Sequence, residues 1–226
     1  MSTQQASSRA ATLAHVAPFA GFVGIMAVEK TLSVPPDIAY TIRFLAVCAL
    51  VLIFSWRYLP FRPSNLAASI GIGVAVFIIW IGPDLIFGYR DSILFSNAIT
   101  GKPESSFPAD LVKQTWFIAV RTFSCMALVP IVEELFWRGW LMRWLIHHNF
   151  LKVPLGKYDP LSFWVVAVLF AVEHGPYWEV GLAAGIIYNW WIVRTRNLAD
   201  CILAHAVTNG LLSAYVVSTG KWQYLL

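Results

Sequence analysis

Two adjacent glutamates, Glu133 and Glu134, and an arginine, Arg138, interrupt the otherwise apolar stretch VEELFWRGWLMRWL at residues 132–145. An ionised carboxylate near the centre of a bilayer is unfavourable by roughly 3 kcal/mol or more, so it persists there only when paired, wetted or used. Glu134 and Arg138 are four residues apart with the acid on the N-terminal side, the favoured order for an ion pair on one helical face. Glu133 points about 100° away from Glu134 on the same helix. Its neighbours three and four residues along are Val129, Pro130, Phe136 and Trp137, none of which carries a counter-charge.

Two later apolar stretches offer polar groups that can meet it: His174 in FAVEHGPYW, and His205 with Asn209 in LAHAVTNG. His205 and Asn209 are also four apart and share a face. A glutamate in a low-dielectric place is a stronger base, and beside a histidine it can orient and deprotonate a water. A second histidine and an amide are suitable donors to a developing oxyanion. The same side chains could instead hold zinc, since two histidines and a carboxylate leave one position open for water. With no HExxH motif, that reading requires Glu133, His174 and His205 to converge from three separate helices. Taken singly, a histidine or asparagine inside a membrane is as readily a satisfied interhelical hydrogen bond, and the Glu134–Arg138 pair favours a structural role. Glu173 adjoins His174, but a continuous helix turns it elsewhere. Glu179 and Asn189 are weaker candidates, and His15, His147 and His148 fall near span boundaries, where interfacial roles are expected.

The elements that carry these residues follow from composition. The chain has 226 residues, 58% hydrophobic and 12% charged, with a mean hydropathy of +0.66, which is the profile of a polytopic membrane protein. Its basic residues are scattered between apolar runs, which excludes a nucleic-acid-binding surface. A spanning helix needs about 20 mainly apolar residues, and such windows lie near 13–29, 38–58, 65–82, 113–146, 160–174, 177–194 and 198–218, one long and two short. SVPPD, LPFRPSN, GPD and KVPLGKYDP supply the breaks between several of them. We expect an all-α bundle of about seven to eight transmembrane helices with an intramembrane polar cavity. Residues 1–226 would form a single membrane domain, with N-terminal spans and an outward loop over 1–112 and a motif-bearing core over 113–218. Arg9, Arg57, Arg62, Arg143, Lys152, Lys157, Arg194 and Arg196 fall on one side and predict a cytoplasmic N terminus. The first span is read as uncleaved. Cys48, Cys125 and Cys201 stand singly and read as small buried hydrophobes. Trp56, Tyr58, Trp144, Trp164 and Trp222 near span ends read as interfacial anchors, and the glycines of GIGVA and GLAAG read as helix contacts.

Depth tests whether the polar groups can meet. With cytoplasmic ends near residues 147, 160 and 197, a rise of about 1.5 Å per residue places Glu133 and His174 roughly 21 Å deep and His205 roughly 12 Å deep. The third lies one or two turns shallower than the others.

In order and spacing, Glu133-Glu134-x-x-x-Arg138, Phe170-x-x-x-His174 and His205-x-x-x-Asn209 resemble the three motifs of the CPBP family of intramembrane proteases, which contains the CAAX prenyl endopeptidase Rce and bacterial Abi proteins. The resemblance covers roughly residues 113–218; the first three spans contribute no motif. It implies a helical membrane fold with a polar cavity in which Glu133 and His174 activate water. His205 and Asn209 would stabilise the oxyanion or complete the site, with Glu134 and Arg138 in support. Zinc stays open, since the family is described both as metalloproteases and as enzymes whose glutamate works without a metal. The stretch from Phe170 to Gly210 is similar to the CAAX protease-related proteins of bacterial exosortase and exopolysaccharide systems. The resemblance implies hydrolysis of a peptide bond in a membrane-associated or lipidated protein, in the bacterial plasma membrane. Two rival readings are a non-catalytic membrane scaffold or immunity-like partner, and a proton relay or transporter. The second fits poorly with a chain that has no inverted repeat.

Overall fold

Several breaks that the sequence placed between apolar runs carry a local stop or cap, but GPD does not, since Pro83 lies inside a helix that runs on to Phe87. The structure is a computed structural model that describes residues 3–32, 34–90, 92–105 and 107–225. Helix α1 covers Thr3–Leu32, and α2 covers Pro36–Tyr58, opening on Pro36 with Asp37 in its first turn. Helix α3, Leu66–Phe87, stops at Gly88, whose φ of 59° suits a residue without a side chain. Helix α4 is the long element Thr115–Trp144. Asp159 caps α5, Pro160–Glu173, by accepting the Ser162 amide at 2.9 Å. Helix α6 covers Trp178–Thr195. Helix α7, Leu198–Thr219, starts on an Asn197 cap and ends at left-handed Gly220. Six of the seven expected spans coincide with these helices within about five residues, and the first helix begins at Thr3, ten residues before the expected start at 13.

Helices α1, α2, α3, α4 and α7 are each long and apolar enough to cross a bilayer, and the chain is an integral membrane protein. Helix α5, with 14 residues, rises only about 21 Å, less than the hydrocarbon thickness, and packs along α6. Among the described residues there is no strand, only an isolated bridge between Asn97 and Gly101.

Small residues set the closest approaches. A side chain at Gly73 would collide with the carbonyl of Ala204, and Thr208 donates to the Gly73 carbonyl at 2.9 Å, so α3 and α7 touch backbone to backbone. Gly185 does the same for α6, its Cα facing Ala167 of α5. Asp200 ties α7 to the preceding loop by accepting the Ser64 and Asn65 amides at 2.8 and 2.9 Å and the Asn65 side chain at 2.8 Å.

Two expectations need correction. The expected unbroken α-helix through residue 138 is instead interrupted by π-helical turns at Ser124–Leu128 and Leu135–Leu141. Such turns take more residues per turn and recur at functional sites. His15 is not interfacial: it is buried, donates Nδ1–H to the Ala11 carbonyl at 2.8 Å and packs its ring against Tyr58 and Phe150.

Candidate active site

Glu134 and Arg138 are both fully buried and form the ion pair that their spacing predicts, with Nη1 3.0 Å from Oε1. The guanidinium is used up by structural partners. Nε donates to Asn189 Oδ1 at 2.9 Å, Nη2 to the Gly185 carbonyl at 3.3 Å, and the plane lies over the Phe170 ring. Asn189 passes the connection on by donating to the Phe163 carbonyl at 2.8 Å. Arg138 therefore clamps α4 to α6, and through Asn189 to α5. Glu134 has a second partner that local spacing does not reveal: its Oε1 also accepts from His205 Nδ1 at 2.9 Å.

That bond orients His205. With Nδ1–H given to the carboxylate, Nε2 carries the lone pair and faces Glu133, 4.0 Å from its Oε2. The ring stacks on Tyr188, 5.1 Å between centroids. Glu133 is 5% exposed and its Oε2 has no hydrogen-bond partner. His205 thus reaches both glutamates despite the shallower depth expected from a uniform rise. The π turn at Leu135–Leu141 advances less per residue, which brings Glu133 closer to the Trp144 end of α4 than a regular helix does.

Glu133, His174, His205 and Asn209 line one cavity of about 390 Å3. His174 donates Nδ1–H to the Phe170 carbonyl at 2.6 Å, leaving Nε2 as the acceptor. Asn209 gives one amide hydrogen to the Cys125 carbonyl at 2.9 Å, on the first π turn, and keeps the other. Cys125, read from sequence as a buried hydrophobe, is a wall residue of this cavity.

Glu173 also lines the cavity, against the expectation that it points elsewhere. Helix α5 ends at Glu173, and His174 leaves helical geometry with φ −86° and ψ 5°. Both residues border the cavity, Glu173 from an exposed position and His174 from a half-buried one. The Gly175-Pro176 pair that follows was the signal that the helix stops there.

Residues 115–211 match the family model described as type II CAAX prenyl endopeptidase Rce1-like. This segment is similar to the Rce1-like family. No curated protein and no solved structure matches the chain. The Rce1-like segment begins where α4 begins and contains Glu133, Glu134, Arg138, His174, His205 and Asn209. The family's enzyme class is peptide hydrolase, and the chain is a membrane-embedded protease of that class.

The Rce1-like segment does not build its cavity alone. Phe22, Val23 and Met26 of α1 and Val76 and Trp80 of α3 complete the wall. The early spans, which carry no motif, supply the apolar surface around the polar groups. No periodicity marks these positions, because each reaches the cavity through tertiary packing.

A catalytic zinc would need three of these side chains around one point. Among the described residues no three of the His, Cys, Asp and Glu side chains come together as a metal-ligand set. Glu133, His174 and His205 share a cavity without the convergence that a zinc centre requires, so no step below passes through a metal.

Proposed function

We propose that the chain is an intramembrane endopeptidase that cleaves a peptide bond in a membrane-associated protein, with the N terminus cytoplasmic and the bacterial plasma membrane as its setting. The observation that carries this reading is the gap between Glu133 Oε2 and His205 Nε2. Two acceptors 4.0 Å apart fit a water that donates to both at about 2.8 Å. Glu133 takes the water's proton as its oxygen adds to the scissile carbonyl carbon. The carbonyl electron pair moves onto oxygen, where the unused amide hydrogen of Asn209 can meet it. The proton that Glu133 took passes to the departing amine as the C–N bond breaks, with the free Nε2 of His174 accepting it and handing it on, and the Glu133 carboxylate is restored. Glu134 and Arg138 act through His205 as positioning residues.

Prenylation of the substrate is not part of this proposal; the cavity wall is apolar and accepts either a lipid-modified or a plain hydrophobic segment. The test is hydrolysis of quenched fluorescent peptides, prenylated and unprenylated, by the purified chain in lipid nanodiscs. Turnover that disappears in Glu133→Gln supports the proposal. A chain that cleaves neither, and whose cellular phenotype survives Glu133→Gln, would be the scaffold of the rival reading.

A further inference from the structure

Arg121 on α4 is 3% exposed, and no carboxylate among the described residues pairs with it. Its Nη2 donates to the main-chain carbonyl of Leu225, its Nε has no partner, and the guanidinium lies over the Phe107 ring, 4.5 Å from the centroid. A buried cation that, among the described residues, is held by a carbonyl and by the faces of Phe107 and Tyr40 is costly unless it has work to do. One turn further along the helix is Cys125, whose carbonyl holds Asn209.

The segment that Arg121 holds lies across the candidate active site. Tyr224 and Leu225 are 4% and 6% exposed, and both side chains line the cavity of Glu133, His174 and His205. Two donors address its backbone at alternate residues: the Tyr177 hydroxyl donates to the Gln223 carbonyl at 2.7 Å, and Arg121 to that of Leu225. The Tyr224 hydroxyl donates to Asp84 from the same stretch. Trp222–Tyr224 form a 3-10 turn and Leu225 follows it; because the fixed donors take main-chain carbonyls, they hold this short segment whatever its side chains. Trp222, read from sequence as an interfacial anchor, belongs to this segment and is half-buried against the core.

We propose that Tyr177 and Arg121 form a main-chain receptor for the substrate peptide, and that residues 222–225 occupy this receptor as an internal competitor that must leave before a peptide enters. The inference rests on the peptidase reading for the word substrate, but the receptor itself is tested by binding alone. An apolar residue of the entering peptide would take the place of Leu225, with its carbonyl on Arg121.

The test uses the full chain and a fluorescein-labelled peptide of sequence KWQYLL, with anisotropy in nanodiscs as the readout. The double variant Tyr224→Ala/Leu225→Ala loosens the internal segment and is expected to bind the probe at least ten-fold tighter than the unaltered chain. Adding Arg121→Gln should remove that gain. Arg121→Lys, which keeps the charge and loses the fork, should remove part of it and keeps the test valid if the glutamine variant does not fold. Equal binding by the unaltered chain and the loosened variant overturns the proposal, as does undiminished binding after the Arg121 substitutions. Probe binding without peptide hydrolysis anywhere would sink the peptidase reading and leave the receptor standing.

Discussion

Glu134 Oε1 accepts hydrogen bonds from Arg138 Nη1 at 3.0 Å and from His205 Nδ1 at 2.9 Å, so one buried oxygen both neutralises a cation and fixes a ring. The neighbouring Glu133 has no such obligations: its Oε2 lacks a hydrogen-bond partner and faces the lone pair of that ring. The two adjacent carboxylates thus have different environments: Glu134 is tied down through Oε1, with only its Oε2 unpartnered, whereas Glu133 makes no hydrogen bond to Arg138 or His205.

Glu133→Gln is expected to lower the turnover rate by roughly 100- to 10,000-fold, the usual contribution of a positioned general base, while leaving the unfolding transition in place. Peptide hydrolysis and thermal unfolding on the same preparation check both halves. A variant that unfolds early, or keeps a tenth of the activity, contradicts the assignment of Glu133 as base.

Glu134→Gln should fail differently. It leaves the buried Arg138 without its counter-charge, and breaking a buried pair in this way costs about 3–5 kcal/mol. Combining it with Arg138→Met removes the stranded charge and should recover much of that loss. Activity should stay low in the double variant, because His205 has lost the carboxylate that orients it. Recovery of activity along with stability would show that the tether to His205 is unimportant.

Chelation distinguishes the two ways of activating water. Because no three ligating side chains converge among the described residues, hydrolysis is expected to survive exhaustive treatment with a zinc chelator. Loss of activity that zinc alone restores would instead place Glu133, His174 and His205 around a metal.

Gly73→Ala puts a methyl group against the Ala204 carbonyl, which is backbone and cannot swing aside. Overpacking of this kind costs about 1–3 kcal/mol, and it should separate α3 from α7 and weaken the Thr208 bond to the Gly73 carbonyl. The resistance of the purified chain to unfolding in SDS measures this; Gly71→Ala, in open space, is the control and should change nothing.

Outside the spans, Tyr89 donates its hydroxyl to Glu179 at 3.0 Å, beside the Arg90–Glu179 pair at 2.8 Å. Burial, then the Glu179 hydrogen bond, push the hydroxyl up to about 12 from an ordinary value of 10.0. The raised value means the neutral form is favoured in the fold, so its contribution is complete below pH 10 and is lost as pH rises through about 12. Melting curves across that window should flatten in Tyr89→Phe; an unchanged alkaline slope would assign the loss to other groups.

The sequence by itself determined what depends on neighbours along the chain. Apolar runs of spanning length marked the seven helices, proline and glycine clusters several of their ends though not GPD, which lies within α3, and four-residue spacing the Glu134–Arg138 pair, since a helix brings those positions together whatever surrounds it. It also singled out the three stretches that carry Glu133, His174, His205 and Asn209. Only the tertiary structure decided who meets whom across helices. His205, 71 residues from Glu134, takes the second valence of that carboxylate, Glu173 borders the cavity where α5 ends, and Leu225 brings its carbonyl to Arg121. Residues 22, 23, 26, 76 and 80 become cavity wall through packing alone. Helical periodicity reports only which face a residue occupies, whereas the partner of that face is set by tilt, by π turns and by glycines that let two backbones touch, and none of these leaves a repeating trace along the chain.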